Sequence, residues 1–233
     1  MVATRNRGKI REIRKALKGL KLKFYSLNDF EDVPEIEEDG KTFIENALKK
    51  ARFYSKYFGT LTIADDSGLE VDFLNGWPGI YSARYSGKGA SDRKNNQKLL
   101  REMEGIQISK RRARFKCVIA MVSPEGREAI VEGSCRGRIG SREVGKKGFG
   151  YDPLFFLPRY GKTMAQLTLE EKNRVSHRGK ALRKLRKIVT KFQALHLIWY
   201  RASTNTQIMT KIPMTEILTK RLINLGFRYI GIG

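Results

Sequence analysis

Apolar side chains recur every three or four residues in several parts of this chain, the spacing of one face of a helix. The first such stretch predicts a helix over about residues 8–19, with its apolar positions at Ile10, Ile13, Leu17 and Leu20. The same periodicity predicts further helices over about residues 41–58 and 177–192, and Ser91 can cap another over about residues 91–104. A short helix is also expected after Thr168, because Glu171 completes a capping box with it.

Continuous apolar runs alternate with these helices and predict strands. Strands are expected near residues 61–65, 69–74, 113–122, 128–138 and 154–157. The turn-forming sequence Ser123-Pro124-Glu125-Gly126 separates the two longest runs and predicts a hairpin. Helices that alternate with strands indicate the α/β class, and the length of 233 residues allows one domain or two.

Two adjacent carboxylates follow one predicted strand, in Asp65-Asp66-Ser67-Gly68. Because Asp, Ser and Gly favour turns, we expect a tight turn that places both charges side by side at the rim of the sheet. Such a pair is costly unless a cation or a shared proton offsets it. Neither cysteine nor a pair of histidines lies nearby, so Mg²⁺ is the favoured metal. The alternative is an ordinary solvated turn.

A second polar segment, Thr4-Arg5-Asn6-Arg7-Gly8-Lys9, begins the first predicted helix. Backbone N–H groups at a helix N-terminus suit an anion, and Lys9 adds a full positive charge. The segment is therefore a candidate phosphate loop, although it is not a Walker A motif. An ordinary capped helix start is the alternative.

A third segment, Gly148-Phe149-Gly150-Tyr151-Asp152-Pro153, places an aromatic residue between two glycines and a carboxylate before a proline. Phe149 could stack on a flat base. Asp152 could accept hydrogen bonds from ring N–H groups. The alternative is the start of a strand whose aromatic residues belong to the core.

A fourth segment, Ser176-His177-Arg178-Gly179, opens the last predicted helix and follows Lys172. Ser176 is a suitable N-cap. His177 and Arg178 could present hydrogen-bond donors to a carbonyl oxygen or a phosphate. A solvated basic helix start is the alternative in a chain this rich in lysine and arginine.

Taken together, these segments resemble the inosine triphosphate pyrophosphatase family, whose members hydrolyse non-canonical purine nucleoside triphosphates. The resemblance covers about residues 1–192, and its pieces occur in the family's order. Besides the four segments it includes Glu37-Glu38-Asp39-Gly40-Lys41-Thr42-Phe43-Ile44-Glu45-Asn46-Ala47 and Gly76-Trp77-Pro78-Gly79-Ile80-Tyr81-Ser82-Ala83-Arg84-Tyr85. Each piece is weak alone, but their ordered combination is specific.

The resemblance implies a role for each matching position. Asp66 would be the general base and a metal ligand, and Glu37 the second ligand of Mg²⁺. The triphosphate would be held by Thr4, Arg5, Asn6, Arg7, Gly8 and Lys9, with Ser67 on the nucleotide. The purine and its phosphates would be surrounded by Phe149, Gly150, Tyr151, Asp152, Lys172, His177 and Arg178.

The resemblance also implies a fold and a reaction. The fold would be an elongated, two-lobed α/β structure with a long, curved mixed sheet and a deep central cleft, and the protein would be a homodimer. ITP, dITP and XTP would be cleaved to the monophosphate and pyrophosphate. His177 and Arg178 would favour bases with a carbonyl at the purine 6-position, because adenine would leave buried donors unpaired. A related pyrophosphatase acting on other modified bases is the alternative.

Composition adds a strong positive charge and few structural restrictions. The net charge of +23 attracts polyanions, so weak, salt-sensitive nucleic-acid binding is expected, and a non-enzymatic nucleic-acid binder is the rival class. Cys117 and Cys135 fall in strand-like runs and form no metal or redox motif. No membrane span or signal peptide is expected, which favours the cytoplasm. Residues 193–233 lie outside the resemblance and are expected to form an extension of unknown role.

Overall fold

The computed structural model describes the backbone of residues 1–203 and the side chains of residues 1–191. The resemblance-based assignment to the α/β class is confirmed, because one five-stranded sheet is flanked by helices on both faces. The helices are α1 (Arg7–Ala16), α2 (Phe43–Phe58), α3 (Asp92–Glu102), α4 (Leu169–Val175) and α5 (His177–Ser203). The strands are β1 (Thr62–Val71), β2 (Arg112–Val122), β3 (Glu128–Ile139), β4 (Phe155–Leu157) and β5 (Lys162–Thr163).

The sheet has the order β1-β2-β3-β4-β5, and every ladder in it is antiparallel. The expected mixed character is limited, within the described residues, to single parallel bridges from Val2 to Ser26 and Ile63. The long β2–β3 hairpin confirms the two strands predicted around Ser123–Gly126. Across residues 1–203, no helix combines the length and apolar character needed to cross a bilayer.

The tight turn predicted at Asp65–Gly68 is wrong, because β1 runs through it without a break. Asp65 pairs with Ile119 and Gly68 pairs with Lys116 in the ladder to β2. Ladder hydrogen bonds and burial outweigh the local turn preference of Asp, Ser and Gly. Gly68 serves close packing instead of a turn, since a Cβ there would lie 2.2 Å from the Gly79 carbonyl oxygen.

Two layers of helices bury the two faces of the sheet. Helix α2 packs on one face through a cluster that includes Ala47, Ala51 and Val118. Helices α1 and α5 cover the other face through a cluster that includes Ile13, Ile119 and Leu185. Side chains alternate between the faces along a strand, so neighbouring residues of β1 meet different helices.

Several predicted helix boundaries are confirmed by their caps. Thr42 caps α2, Ser91 caps α3, and Thr168 forms the predicted capping box with Glu171 at α4. Asn6 caps α1 by accepting a hydrogen bond from the Lys9 amide at 3.0 Å. Helix α5 continues to Ser203, past the predicted end at residue 192, while residues 204–233 of the predicted extension lie outside the described part.

Candidate active site

All four predicted segments meet around one cavity beside the middle of β1, the strand that carries Asp65 and Asp66. The cavity has a volume of about 100 Å³. We call it the site cavity. Predicted residues that line it are Asn6, Lys9, Ser67, Phe149, Gly150, Tyr151, Asp152, Lys172, His177 and Arg178.

The two adjacent carboxylates point to opposite faces of β1 and therefore differ in environment. Asp65 faces the α1 and α5 side, where Lys9 Nζ lies 2.5 Å from Oδ1 and Arg178 Nε donates to Oδ2 at 2.9 Å. Burial alone would raise the pKa of Asp65, but the charges of Arg178 and Lys9 outweigh it and hold that pKa well below its usual range. Asp65 is thus a permanently ionised anchor for two cations.

Asp66 faces the α2 side, where its carboxylate has few partners. Lys50 Nζ lies 3.7 Å from Oδ1, and Oδ2 is buried without a hydrogen-bond partner among the described residues. Burial raises the pKa of Asp66 to about 6, with Lys50 and Lys9 opposing the rise and Glu38 and Asp65 adding to it. A buried carboxylate with one free oxygen is suited to hold a cation or to accept a proton from water.

Glu38, not the predicted Glu37, shares this neighbourhood. Glu38 Oε1 accepts from the same Lys50 Nζ at 2.9 Å, and Lys50 also donates to the Asp65 carbonyl oxygen at 2.9 Å. Glu37 is exposed, and the described residues offer it no contact with Asp66. The segment between residues 33 and 40 forms no regular element, so no periodicity in the sequence distinguished the two glutamates.

Arg178 is the most heavily engaged side chain of the site. Its guanidinium donates to Asp65 through Nε and Nη2, to Ser67 Oγ at 2.7 Å and to Glu12 Oε2 at 2.7 Å. Four of its five N–H groups are therefore directed at protein acceptors. Only one N–H group, on Nη1, therefore remains for the predicted donation from Arg178 to the base.

Glu12 is a buried residue of the site that the motifs did not reveal. It lies on α1 and joins two cations, accepting from Lys172 Nζ at 2.7 Å and from Arg178 Nη1 at 2.7 Å. Burial would raise the pKa of Glu12, but Arg178 and Lys172 lower it below the usual value. At 100° per residue Glu12 lies beside the stripe formed by Ile10, Ile13 and Leu17 and not on it, so the apolar pattern of α1 gave no sign of its burial.

Lys172 and Asp152 form a buried ion pair beside the ring of Phe149. Lys172 Nζ contacts Asp152 Oδ2 and lies 4.5 Å from the Phe149 ring centroid. The Phe149 amide also donates to Asp152 Oδ2 at 2.9 Å, so the carboxylate fixes this loop. Burial raises the pKa of Asp152, while Lys172 opposes the rise.

His177 is placed to offer a neutral polar edge to a ligand. Its ring stacks on Phe115 with centroids 4.6 Å apart, and its Nδ1 is buried without a partner in the described part of the chain. Burial, reinforced by Arg178, holds the pKa of His177 well below its usual range. The imidazole is therefore uncharged at neutral pH and can form one directional hydrogen bond through Nδ1.

The predicted phosphate loop, Thr4–Lys9, leads into the start of α1, but its Arg5 contacts a different part of the chain. Arg5 donates to the carbonyl oxygens of Leu27 and Val33, each at 3.2 Å, and so ties down the segment that leads towards Glu38. Thr4 Oγ1 accepts from the Asn6 amide at 3.2 Å, and Arg7 is exposed. A Cβ on Gly8 would lie 2.3 Å from the Phe149 ring, so the loop and the ring pack closely.

Tyr151 and Gly150 position the other wall of the cavity. The Tyr151 hydroxyl donates to the Ser82 carbonyl oxygen at 2.8 Å, and burial raises its pKa. The Gly150 amide donates to Asp92 at 2.6 Å, and its carbonyl oxygen accepts from Asn96 at 3.2 Å. Helix α3 therefore holds the Gly148–Pro153 loop against the cavity.

Comparisons with known proteins agree over the part of the chain that contains the site. The sequence profile of the Ham1 family matches residues 1–188. A dITP/XTP pyrophosphatase from Geobacter sulfurreducens is 56% identical over 182 residues, covering 78% of this chain and 92% of that protein. A dITP/XTP pyrophosphatase from Desulforamulus reducens is 49% identical over 191 residues, covering 82% and 95%.

Solved structures show the same similarity in three dimensions. The structure of a HAM1 protein from Coxiella burnetii matches with a TM-score of 0.74 and 43% identity, covering 82% of this chain and 97% of that one. A nucleoside-triphosphatase, or dITP/XTP pyrophosphatase, from Mycobacterium abscessus matches with a TM-score of 0.63 and 44% identity, covering 79% and 95%.

Proposed function

This chain belongs to the Ham1 family, and we propose that it hydrolyses non-canonical purine nucleoside triphosphates, namely dITP, ITP and XTP, to the monophosphate and pyrophosphate. The observation that carries the proposal is the pairing of one ionised carboxylate, Asp65, with a neighbour, Asp66, whose pKa is raised to about 6 and whose Oδ2 has no partner. Two relatives that share about half of its residues are named for dITP and XTP.

Asp66 would act as the general base. Its buried, unpartnered oxygen can accept a proton from a water molecule, and a pKa near 6 leaves it ionised at neutral pH while making it more basic than a free aspartate. Lys9 and Lys172 would balance the charge of the phosphates, and Asn6 and Gly8 would offer the helix start of α1.

The site also fits a divalent cation. Asp66 Oδ2 has no hydrogen-bond partner among the described residues, and Glu38 lies nearby because both carboxylates contact Lys50. Carboxylate oxygens are the ligands that Mg²⁺ prefers. We propose that Glu38 and Asp66 hold Mg²⁺, which would neutralise phosphate charge and lower the pKa of a bound water. No group of three or more possible ligands occurs in the described residues, so the substrate's phosphates would complete the coordination.

Base selection would depend mainly on His177. A neutral imidazole with a free Nδ1 can donate one hydrogen bond to a carbonyl at the purine 6-position, and Arg178 Nη1 has one further N–H group. A base that offers an amine instead would leave a buried donor unpaired, which is costly. Phe149 supplies an aromatic face beside these groups.

The test is pyrophosphate release from ITP, dITP, XTP, ATP, GTP and a set of modified pyrimidine nucleoside triphosphates, with and without Mg²⁺. We expect cleavage of the first three to exceed cleavage of ATP, whose base offers an amine at the 6-position, and to require the metal. Asp66→Asn serves as the control for contaminating phosphatases. Cleavage only of modified pyrimidine nucleotides would support the related pyrophosphatase instead.

The choice between the two glutamates has its own test. Glu38→Gln should weaken Mg²⁺ binding measured by calorimetry, whereas Glu37→Gln, its matched control, should leave binding unchanged. The reverse result would restore Glu37 as the ligand. Calorimetry reports on the metal without depending on turnover.

The homodimer implied by the resemblance is also part of the proposal. Trp77 and Tyr81 stack with centroids 5.3 Å apart and are 52% and 43% exposed, which makes their surface a candidate interface. Light scattering on the intact protein and on Trp77→Ser tests this. A cytoplasmic location stays a prediction.

A further inference from the structure

A second groove lies apart from the site cavity, between β3, the segment between β4 and β5, and the junction of α4 and α5. Its volume is about 540 Å³, and its lining shares no residue with that of the site cavity. Strand β3 pairs with β4 only through Arg138 and Ile139, so the groove follows a stretch of its edge that is otherwise unpaired in the described residues. We call it the edge groove.

The charged residues that line the edge groove are all basic. They are Arg136, Arg159, Arg174 and Lys180. Within residues 1–191, none of the four forms an ion pair, and no carboxylate lines the groove. Lys180 Nζ donates to the Ser134 carbonyl oxygen at 2.7 Å, which fixes one of the charges at the strand edge.

Some basic side chains elsewhere on or beside the sheet, in contrast, do have a counter-charge. Arg52 pairs with Glu128 at 2.5 Å, and Arg114 and Lys116 both contact Glu70. Four cations without a counter-charge repel one another, and an anion that spans them removes that repulsion. The groove is therefore suited to a ligand with several negative charges.

The remaining lining adds a flat aromatic surface. Tyr160 is 46% exposed, and Leu157, Pro158 and Val175 supply apolar neighbours. Aromatic side chains beside a basic track are the features that bind unpaired nucleobases and their phosphates. A duplex keeps its bases stacked inside and would not offer one to Tyr160.

We propose that the edge groove binds single-stranded nucleic acid, with phosphates on the four cations and a base on Tyr160. The net charge of +23 would speed the encounter but would not itself select a location. This site is independent of the proposed hydrolysis, because it uses a different surface.

The test measures binding of a short fluorescent oligothymidylate by anisotropy at several salt concentrations. The variant Arg159→Gln/Arg174→Gln removes two charges from the groove. Lys56→Gln/Lys110→Gln is the matched control, because both lysines are exposed, line neither the site cavity nor the edge groove and carry the same charge. For single strands, log K falls by about 0.7 per phosphate contact for each unit of log salt, so the groove variant should be less steep by roughly 1.4.

The control variant should retain the wild-type slope within error, and both variants should cleave ITP as the wild type does. Equal effects of the two double variants would overturn the proposal, because binding would then follow net charge alone. A change of oligomeric state in the groove variant alone would assign the surface to a protein contact and would overturn it as well.

A third variant distinguishes nucleic acid from other polyanions. Tyr160→Ala should weaken oligothymidylate binding roughly five- to hundredfold, the range for loss of one stacked base, and should leave binding of inorganic polyphosphate unchanged. Equal binding of oligothymidylate by Tyr160→Ala and the wild type would overturn the assignment to nucleic acid, as would competition by thymidine monophosphate as strong as that by the oligonucleotide.

Discussion

Asp65 and Asp66 are adjacent in the chain, yet the alternation of β1 gives them different chemistry. Asp65 anchors Lys9 and Arg178, whereas Asp66 keeps an oxygen free on the other face. Neighbouring carboxylates whose environments separate their pKa values are a common way to obtain one structural and one reactive group. Lys9 and Arg178 offset the charge of Asp65, while the remaining repulsion from Asp65 contributes to the raised pKa of Asp66.

The two aspartates should respond oppositely to the same substitution. Asp66→Asn should nearly abolish ITP cleavage, by more than the roughly 10²–10⁴-fold typical of a general base, because it also removes one of the two proposed ligands of Mg²⁺. Its free energy of unfolding at neutral pH should stay equal or rise, because a raised folded-state pKa means that the ionised carboxylate opposes folding.

Asp65→Asn should instead lower the free energy of unfolding by about 3 kcal/mol, because it leaves two buried cations without their partner. Urea denaturation of both variants with the wild type makes the comparison. Greater destabilisation by Asp66→Asn than by Asp65→Asn would contradict the assignment of the two roles.

The pKa of Asp66 gives a prediction about pH and metal. Without metal, the side-chain carboxyl carbon should titrate with a pKa of about 6 in NMR, with Asp66→Asn identifying the signal. Mg²⁺ should lower that value, because a cation favours the ionised form. With Mg²⁺ bound, cleavage should therefore decline as the pH falls below about 6, where the carboxylate becomes protonated. If Mg²⁺ left the pKa of Asp66 unchanged, Asp66 would not be a ligand of the metal.

Glu12 should act as a positioning residue, because it contacts Lys172 and Arg178 without lining the site cavity. Glu12→Gln should reduce kcat/KM for ITP by about 10²-fold, the effect of displacing aligned groups by about an ångström. Arg11→Gln, an exposed neighbour on α1, is the control. Glu12→Asp keeps the carboxylate and should recover part of the kcat that Glu12→Gln loses, although the two variants should have the same free energy of unfolding. If activity followed stability alone across the three variants, Glu12 would be merely structural.

At the scale of elements, hydrophobic patterning identified α1, α2, α5 and the β2–β3 hairpin, because each has a long apolar pattern, whereas α3, with Leu99 and Leu100 as its apolar residues, was indicated by its Ser91 cap. It failed where local preference and tertiary pairing disagree. Asp65–Gly68 has the composition of a turn, yet ten residues of β1 pair continuously with β2. It also offered no choice between Glu37 and Glu38, since an irregular segment has no period to follow. Contacts between side chains of separate helices, such as Glu12 of α1 with Arg178 of α5, have no local signature in the sequence.

A substitution at Gly68 tests the close packing of β1, the strand found where a turn was predicted. Gly68→Ala would place a Cβ 2.2 Å from the Gly79 carbonyl oxygen and 2.5 Å from Ser82 Oγ, so the segment Gly79–Arg84 must shift. Overpacking of this kind costs about 1–3 kcal/mol of unfolding free energy. At Gly140 the nearest atoms to an added Cβ are at 3.4 and 3.5 Å, so Gly140→Ala is the tolerated control. Equal melting temperatures for the two variants would show that β1 and its neighbour adapt freely.

At the scale of the whole molecule, the site cavity is small for its proposed substrate. Its volume of about 100 Å³ is below the roughly 300–1,000 Å³ of pockets that enclose small molecules. The Phe149 ring lies 4.5 Å from Lys172 Nζ and 5.3 Å from Arg178 Cζ, and it packs on Gly8. We therefore expect Phe149 and its loop to move away from these cations when the proposed nucleotide binds, which would make the cations available to phosphates and free the ring to stack on the base.

The end of the chain supplies the last prediction. Every residue that lines the site cavity lies between Asn6 and Arg178, and the Ham1 profile ends at residue 188. The last buried apolar side chains of α5 in the described part are Ile188 and Val189. Truncation after Phe192 retains all of these and removes residues without a counterpart in the family. We therefore expect kcat/KM for ITP and the Mg²⁺ requirement to be unchanged.

The comparison must be made at a temperature where both forms are folded, because shortening α5 removes helical turns that continue to Ser203 and is expected to lower the melting temperature. Circular dichroism sets that temperature, and light scattering at the same concentration reports the oligomeric state. A loss of more than about tenfold in kcat/KM, which corresponds to about 1.4 kcal/mol of transition-state stabilisation, would show that residues 193–233 shape the active cleft. A loss that appears only together with dissociation would assign those residues to the dimer instead, and either result would overturn their interpretation as peripheral.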